Sequence, residues 1–150
     1  MLLRLAELLF VQLLRRHFGT LSPDQTGWLA GLRDPVVGRV LSLLHERPAH
    51  GWTLEELVQN VGLSRSALSE RFAKLIGCAP MQYLGAWRMQ IAAGLLAEGN
   101  AKVATVASQV GYDSEAAFSR AFKKATGMAP ALWRTQPLDR HRHPHKSPRW

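Results

Sequence analysis

Two stretches of this 150-residue chain are copies of one pattern, and that repeat limits the fold more than any other feature. Leu54, Leu57, Val61 and Gly62 recur as Val103, Val106, Val110 and Gly111, 49 positions further on. One residue is then inserted. Ser64, Leu68, Ser69, Phe72, Lys74, Gly77, Ala79 and Pro80 recur as Ser114, Phe118, Ser119, Phe122, Lys124, Gly127, Ala129 and Pro130, now 50 positions on, and Tyr83 recurs as Trp133. Each copy reads as a short helix, a tight turn containing glycine and a serine-capped second helix. That is the helix-turn-helix pattern, over residues 53–76 and 102–126.

The rest of the chain reads as helix or as nothing regular. Asp34 is an N-cap with Pro35 at the first helical position, and Val36, Val37, Val40, Leu41 and Leu44 follow at helical spacing until Pro48. Thr53 and Glu56 form a capping box, each expected to satisfy the other's backbone donor. Pro80 opens a long helix to about Glu98, with Tyr83, Leu84, Trp87, Ile91, Leu95 and Leu96 apolar. Leu132 and Trp133 end the pattern in a last short turn of helix. No strand alternation appears. The expected fold is all-α: two tandem helix-turn-helix subdomains joined by a long central helix and preceded by an extra amphipathic helix at the N-terminus.

Residues 1–18 form that extra helix, with a polar stripe of Arg4, Glu7, Gln12, Arg15 and Arg16 and an apolar face too broad to be left in water. The organisation read from the sequence is a connector or dimerisation segment over 1–32, a domain of two helix-turn-helix units over 33–134 and a disordered basic tail over 135–150, where Pro, His and Arg dominate. The apolar stretch at the N-terminus is too short and too charged to span a bilayer, and it lacks the cleavage site of a signal peptide. A membrane partner is not expected.

The second helix of each copy carries the chemistry. In copy one, Ala67, Leu68, Phe72 and Leu75 are expected to face inward. Arg65, Ser66, Ser69, Glu70 and Ala73 then face outward. In copy two, Ala117, Phe118, Phe122 and Ala125 face inward, leaving Glu115, Ala116, Ser119, Arg120 and Lys123 outside. Small and polar side chains on a protruding helix can approach base edges in a major groove. Arg120 has the fork to grip guanine at two points, and Glu70 can accept from a cytosine amino group. The candidate base readers are therefore Arg65, Ser66, Ser69, Glu70, Glu115, Ala116, Ser119 and Arg120. Thr53, Arg71, Lys74, Lys102, Lys123 and Lys124 are candidates for phosphate. The net charge of +8 agrees with an anionic partner. Part of it sits in the tail, where residues 135–150 hold four basic residues against one acidic.

With these motifs in place the sequence resembles the AraC/XylS family of transcriptional regulators. The resemblance covers residues 34–134 and rests on TLEELV from Thr53, GLSRSALSERF from Gly62 and PMQYLGAWR from Pro80. It continues through VASQVGYDSEAAFSRAFKK from Val106 and GMAPALWR from Gly127. It implies seven helices in two subdomains joined by the long helix over residues 81–98, an asymmetric promoter site and, usually, activation through RNA polymerase. By position, Ser66, Ser69, Glu70, Ala116, Ser119 and Arg120 fall where the family reads bases. Many relatives place a sensor or dimerisation barrel before this domain, and residues 1–50 are too few for one. The segment 1–18 resembles the connector that follows such a sensor. Fragment, truncated product and freestanding short regulator all stay open, as does homodimerisation through that segment. A bacterial, cytoplasmic, nucleoid-associated protein is expected.

Other functions fare worse on the residues. Cys78 is the lone cysteine, so neither an intrachain disulfide nor a cysteine-based zinc site can form. It has no histidine near it in sequence and reads as a structural thiol. His141, His143 and His145 alternate in a segment without the fixed geometry a metal site needs, so no metal and no cofactor is expected. Nothing resembles a paired-carboxylate, nucleophile–base or phosphate-cradling motif, so an enzyme is not expected. The competing reading is an interaction protein, an antagonist that pairs through its N-terminal helix with a longer homologous regulator.

Overall fold

The computed structural model describes residues 34–136. The expected N-terminal helix over 1–18 and the basic tail with its alternating histidines lie outside the described residues, apart from the first two positions of the tail. Within them the chain forms seven helices and no strand: α1 (Pro35–Glu46), α2 (Leu54–Val61), α3 (Arg65–Ile76), α4 (Pro80–Ala97), α5 (Val103–Gln109), α6 (Glu115–Thr126) and α7 (Pro130–Arg134). The chain divides into two compact units between Trp87 and Arg88, so each unit takes part of α4.

Helix starts follow from their caps. Ser64 Oγ accepts from the Ala67 amide at 3.2 Å and Ser114 Oγ from the Ala117 amide at 3.1 Å. These satisfy donors that the first helical turn leaves unpaired. Half of the expected capping box forms: Thr53 Oγ1 accepts from the Glu56 amide at 3.2 Å. The Glu56 carboxylate does not return to Thr53. It takes His50 Nε2 at 2.8 and 3.0 Å instead, a partner that the loop 47–53 brings alongside.

The first unit packs α1, α2, α3 and the start of α4 around Val37, Val40, Leu44, Leu57, Leu68, Phe72, Ile76 and Tyr83. Tyr83 lies edge-on to Phe72, with ring centroids 5.8 Å apart. Its hydroxyl meets His45 Nε2 at 2.6 Å, and the His45 ring stacks on Trp87 at 4.4 Å. The second unit repeats this plan around Met89, Ala92, Leu96, Val106, Val110, Phe118 and Phe122. Trp133 takes the place of Tyr83: it stands edge-on to Phe122 at 5.6 Å, and its indole N–H donates to the Ala93 carbonyl at 3.1 Å.

The structural repeat is longer than the sequence repeat. Val37, Val40 and Leu44 of α1 do the packing that Met89, Ala92 and Leu96 of α4 do in the second unit, an offset of 52 positions. Each unit is therefore three helices deep. Val–Val–Leu and Met–Ala–Leu share a spacing and little identity, and the joining loops differ in length, which hid the third helix from a match by residue type.

Two expected inward residues are exposed. Ala67 and Ala125 face solvent, and the buried stripes run through Leu68, Phe72 and Ile76, and through Phe118 and Phe122. Ala67 lies 100° from Leu68 around a helix axis, too far to share its face. Ala125 stands where the first unit has Leu75. It is too short to reach the core from the last turn of α6.

Candidate nucleic-acid interface

Each helix-turn-helix turn depends on a glycine in left-handed conformation, Gly62 at φ 69° and Gly111 at φ 87°, where a side chain would be strained. The two turns are not identical. The inserted residue lies in the second, between Gly111 and Ser114, and the Tyr112 amide donates to the Ala107 carbonyl at 2.9 Å. The Tyr112 ring packs edge-on against Phe118 at 5.6 Å, and the Arg88 guanidinium lies over it at 5.9 Å. That longer turn delivers Ser114 as the cap of α6.

The exposed row of α3 is Ser66, Glu70 and Lys74; that of α6 is Ala116, Arg120 and Lys124. Each row is spaced by four residues and so runs down one side of its helix. Ser69 and Ser119 sit half-buried at the edge of these rows, and Arg65, Glu115 and Lys123 are exposed beside them. Thr53 and Lys102 occupy the N-caps of α2 and α5, and both are exposed. Lys102 makes no side-chain cap bond.

The charges on the two rows are used differently. Arg65 is ion-paired with Glu55 of α2. Arg71, expected from the sequence to meet phosphate, has a carboxylate partner within the first unit. Its Nε and one terminal nitrogen donate to Asp34 Oδ2 at 2.9 and 2.6 Å. Burial alone would raise the Asp34 pKa, but the Val37 amide, Arg71 and the Val36 amide outweigh it and hold the carboxyl below its ordinary value. The pair is therefore intact at neutral pH, and its contribution is lost only as pH falls through that lowered pKa. In α6, by contrast, Arg120, Lys123 and Lys124 have no ion-pair partner among the described residues. Sequence reasoning missed Asp34 and Glu55 as charge partners. Asp34 was legible as a cap, but its distance of 37 residues from Arg71 leaves no local signal.

Among the described residues no three His, Cys, Asp or Glu side chains gather to hold an ion. Cys78 is buried, and burial pushes its thiol up to about 11. The native thiol is expected to resist a disulfide reagent at pH 8 and to react only as the protein unfolds. Labelling faster than unfolding would show an accessible thiolate.

A family profile described as a helix-turn-helix domain matches residues 57–136. A Streptomyces antibioticus protein named as an AraC-like transcription regulator is 44% identical over 89% of this chain. The DNA-binding domain of the global transcriptional factor AdpA, solved in complex with a target DNA, is 30% identical. It superposes with a TM-score of 0.65 over 75% of this chain and 99% of its own. The chain belongs to the AraC/XylS family. AraC-type proteins are DNA-binding transcription regulators, not enzymes. A further relative is the HTH-type transcriptional activator RclR of Escherichia coli strain K12, 34% identical over 71% of this chain. The chain spans 44% of the Streptomyces protein's length and 37% of RclR's. No helix among the described residues is long and apolar enough to cross a membrane.

Proposed function

We propose that this chain binds promoter DNA sequence-specifically, with α3 and α6 each entering its own stretch of major groove, and that it activates transcription together with RNA polymerase. The observation that carries the reading is the pair of matched helix-turn-helix units, each presenting a row of small, polar and charged side chains one turn apart. The likeness to a domain solved on its target DNA supports it. The activating role follows the named activity of RclR. On this reading residues 33–134 are the DNA-binding domain. Residues 1–32 would serve as a connector to a sensor or to a second copy, and the protein works in the bacterial cytoplasm at the nucleoid.

Within the site, Ser66, Ser69, Glu70, Ala116, Ser119 and Arg120 read bases. Thr53, Lys74, Lys102, Lys123 and Lys124 meet phosphates. Because Glu70 stands where Arg120 stands in the second unit, the two half-sites must differ, and the preferred site is two unlike boxes and not a palindrome.

Selection of bound duplexes from random sequence, followed by mobility shifts over a range of salt, tests this. Binding should weaken steeply with salt as counterions return to the phosphates. Arg120→Ala should lose ~1–3 kcal/mol of base discrimination in one box and none in the other. Absence of binding at low salt, or a palindromic selected site, would overturn the reading.

A further inference from the structure

We propose that Asp34 and Arg71 act together as a positioning pair that fixes α3 for base reading, and that Arg71 is thereby withheld from the DNA backbone. This rests on the DNA-reading function proposed above.

The Asp34 carboxylate is used at both oxygens. Oδ1 accepts from the Val36 and Val37 amides at 3.0 Å each, which fixes the carboxylate at the first turn of α1. Oδ2 accepts the two Arg71 donors. A guanidinium gripped through Nε and a terminal nitrogen has its plane set as well as its distance, a constraint that a lysine ammonium cannot supply. The Asp34 side chain is only 15% exposed and that of Arg71 42%, so the bond is partly shielded from water. Arg71 directly follows Glu70 and lies one helical turn before Leu75. Rotating or sliding α3 would therefore break the bond, and holding the bond holds Ser66 and Glu70 in place.

The repeat supplies an internal comparison. Position 121, the counterpart of Arg71 at the offset of 50, is alanine. Position 86, the counterpart of Asp34 at the offset of 52, is alanine too. The second unit has no such pair, so the device belongs to the first unit and its effects should be confined to the first box.

The charge consequence has a definite sign. With Arg65 paired to Glu55 and Arg71 to Asp34, two of the three basic side chains of α3 are balanced by carboxylates within the first unit. A free Arg71 would add a counterion-releasing contact to any sequence. A tethered Arg71 adds none and instead sharpens the choice among sequences.

The test uses the full chain with Asp34→Asn, which keeps an oxygen for the α1 cap, Arg71→Met, which keeps length and apolar stem, and the double variant. Three readouts are taken: amide exchange of α3 without DNA, discrimination against scrambling of each box, and the slope of log K against log salt. The expected result has four parts. Exchange in α3 quickens in both single variants. First-box discrimination falls about three- to tenfold in each, and the double variant is no worse than either, as for residues acting as one unit. Second-box discrimination does not change. In Arg71→Met and the double variant the salt slope stays that of the native chain, and in Asp34→Asn it steepens by no more than about one, from the released Arg71.

The proposal is overturned if Arg71→Met flattens the slope while Asp34→Asn tightens binding, since Arg71 would then be a phosphate contact screened by Asp34. It is equally overturned if exchange quickens but discrimination does not move, which would make the pair a purely structural tie. If the native chain binds no duplex, the function proposed above fails first. The exchange data then still report whether the two residues hold α3 as a unit.

Discussion

Replacing Phe72 with alanine is expected to destabilise the first unit by about 3–5 kcal/mol, the range for deleting a fully buried aromatic ring. Phe72 has no exposed surface and lies against Tyr83 in a core of three short helices and part of a fourth. A single core in a folding unit this small rarely supplies more than about 3–5 kcal/mol, so the change should come close to unfolding it. The second unit has its own core, with Phe118 and Phe122 fully buried in it. Per-residue amide exchange in Phe72→Ala should therefore rise throughout α1 to α3 while protection of α6 largely persists. Phe122→Ala should give the mirror result. Met81→Ser, at a side chain that is already 38% exposed, should change stability by no more than ~0.5 kcal/mol. Equal loss of protection in both units would show that they fold as a single cooperative body.

The second large effect concerns affinity. Converting Lys123 and Lys124 together to alanine should make the salt slope less negative by about 2, near 0.9 for each phosphate that is no longer neutralised. It should weaken selected and unrelated duplexes alike, since phosphates carry no sequence information. The basis is that these two lysines and Arg120 stand exposed on α6 with no ion-pair partner among the described residues. On α3, Lys74→Ala should remove about one unit of slope. The second unit would thus supply more of the backbone attraction, and the first, with its paired arginines, relatively more of the choice. A slope unchanged in the double lysine variant would place the neutralising cations elsewhere on the chain.

The sequence by itself determined the parts that depend on neighbours within a turn or two. The caps at Asp34, Thr53, Ser64 and Ser114, the left-handed glycines after α2 and α3, and the buried positions Leu68, Phe72, Phe118 and Phe122 could all be read from local periodicity and cap chemistry. The two copies then fixed which helix of each pair presents Ser66, Glu70, Ala116 and Arg120 to solvent. Tertiary structure decided how the charges are spent. Arg71 reaches Asp34 across 37 residues, Arg65 is taken by Glu55, and Glu56 leaves its box for His50. A basic residue on a helix looks the same in sequence whether it faces phosphate or a carboxylate, because partner choice depends on distances that exist only after the helices have packed. The equivalence of α1 and α4 as a third repeated helix was hidden for a related reason: cores select apolar volume at a spacing, not residue identity, so Val37, Val40 and Leu44 can do the work of Met89, Ala92 and Leu96 without resembling them.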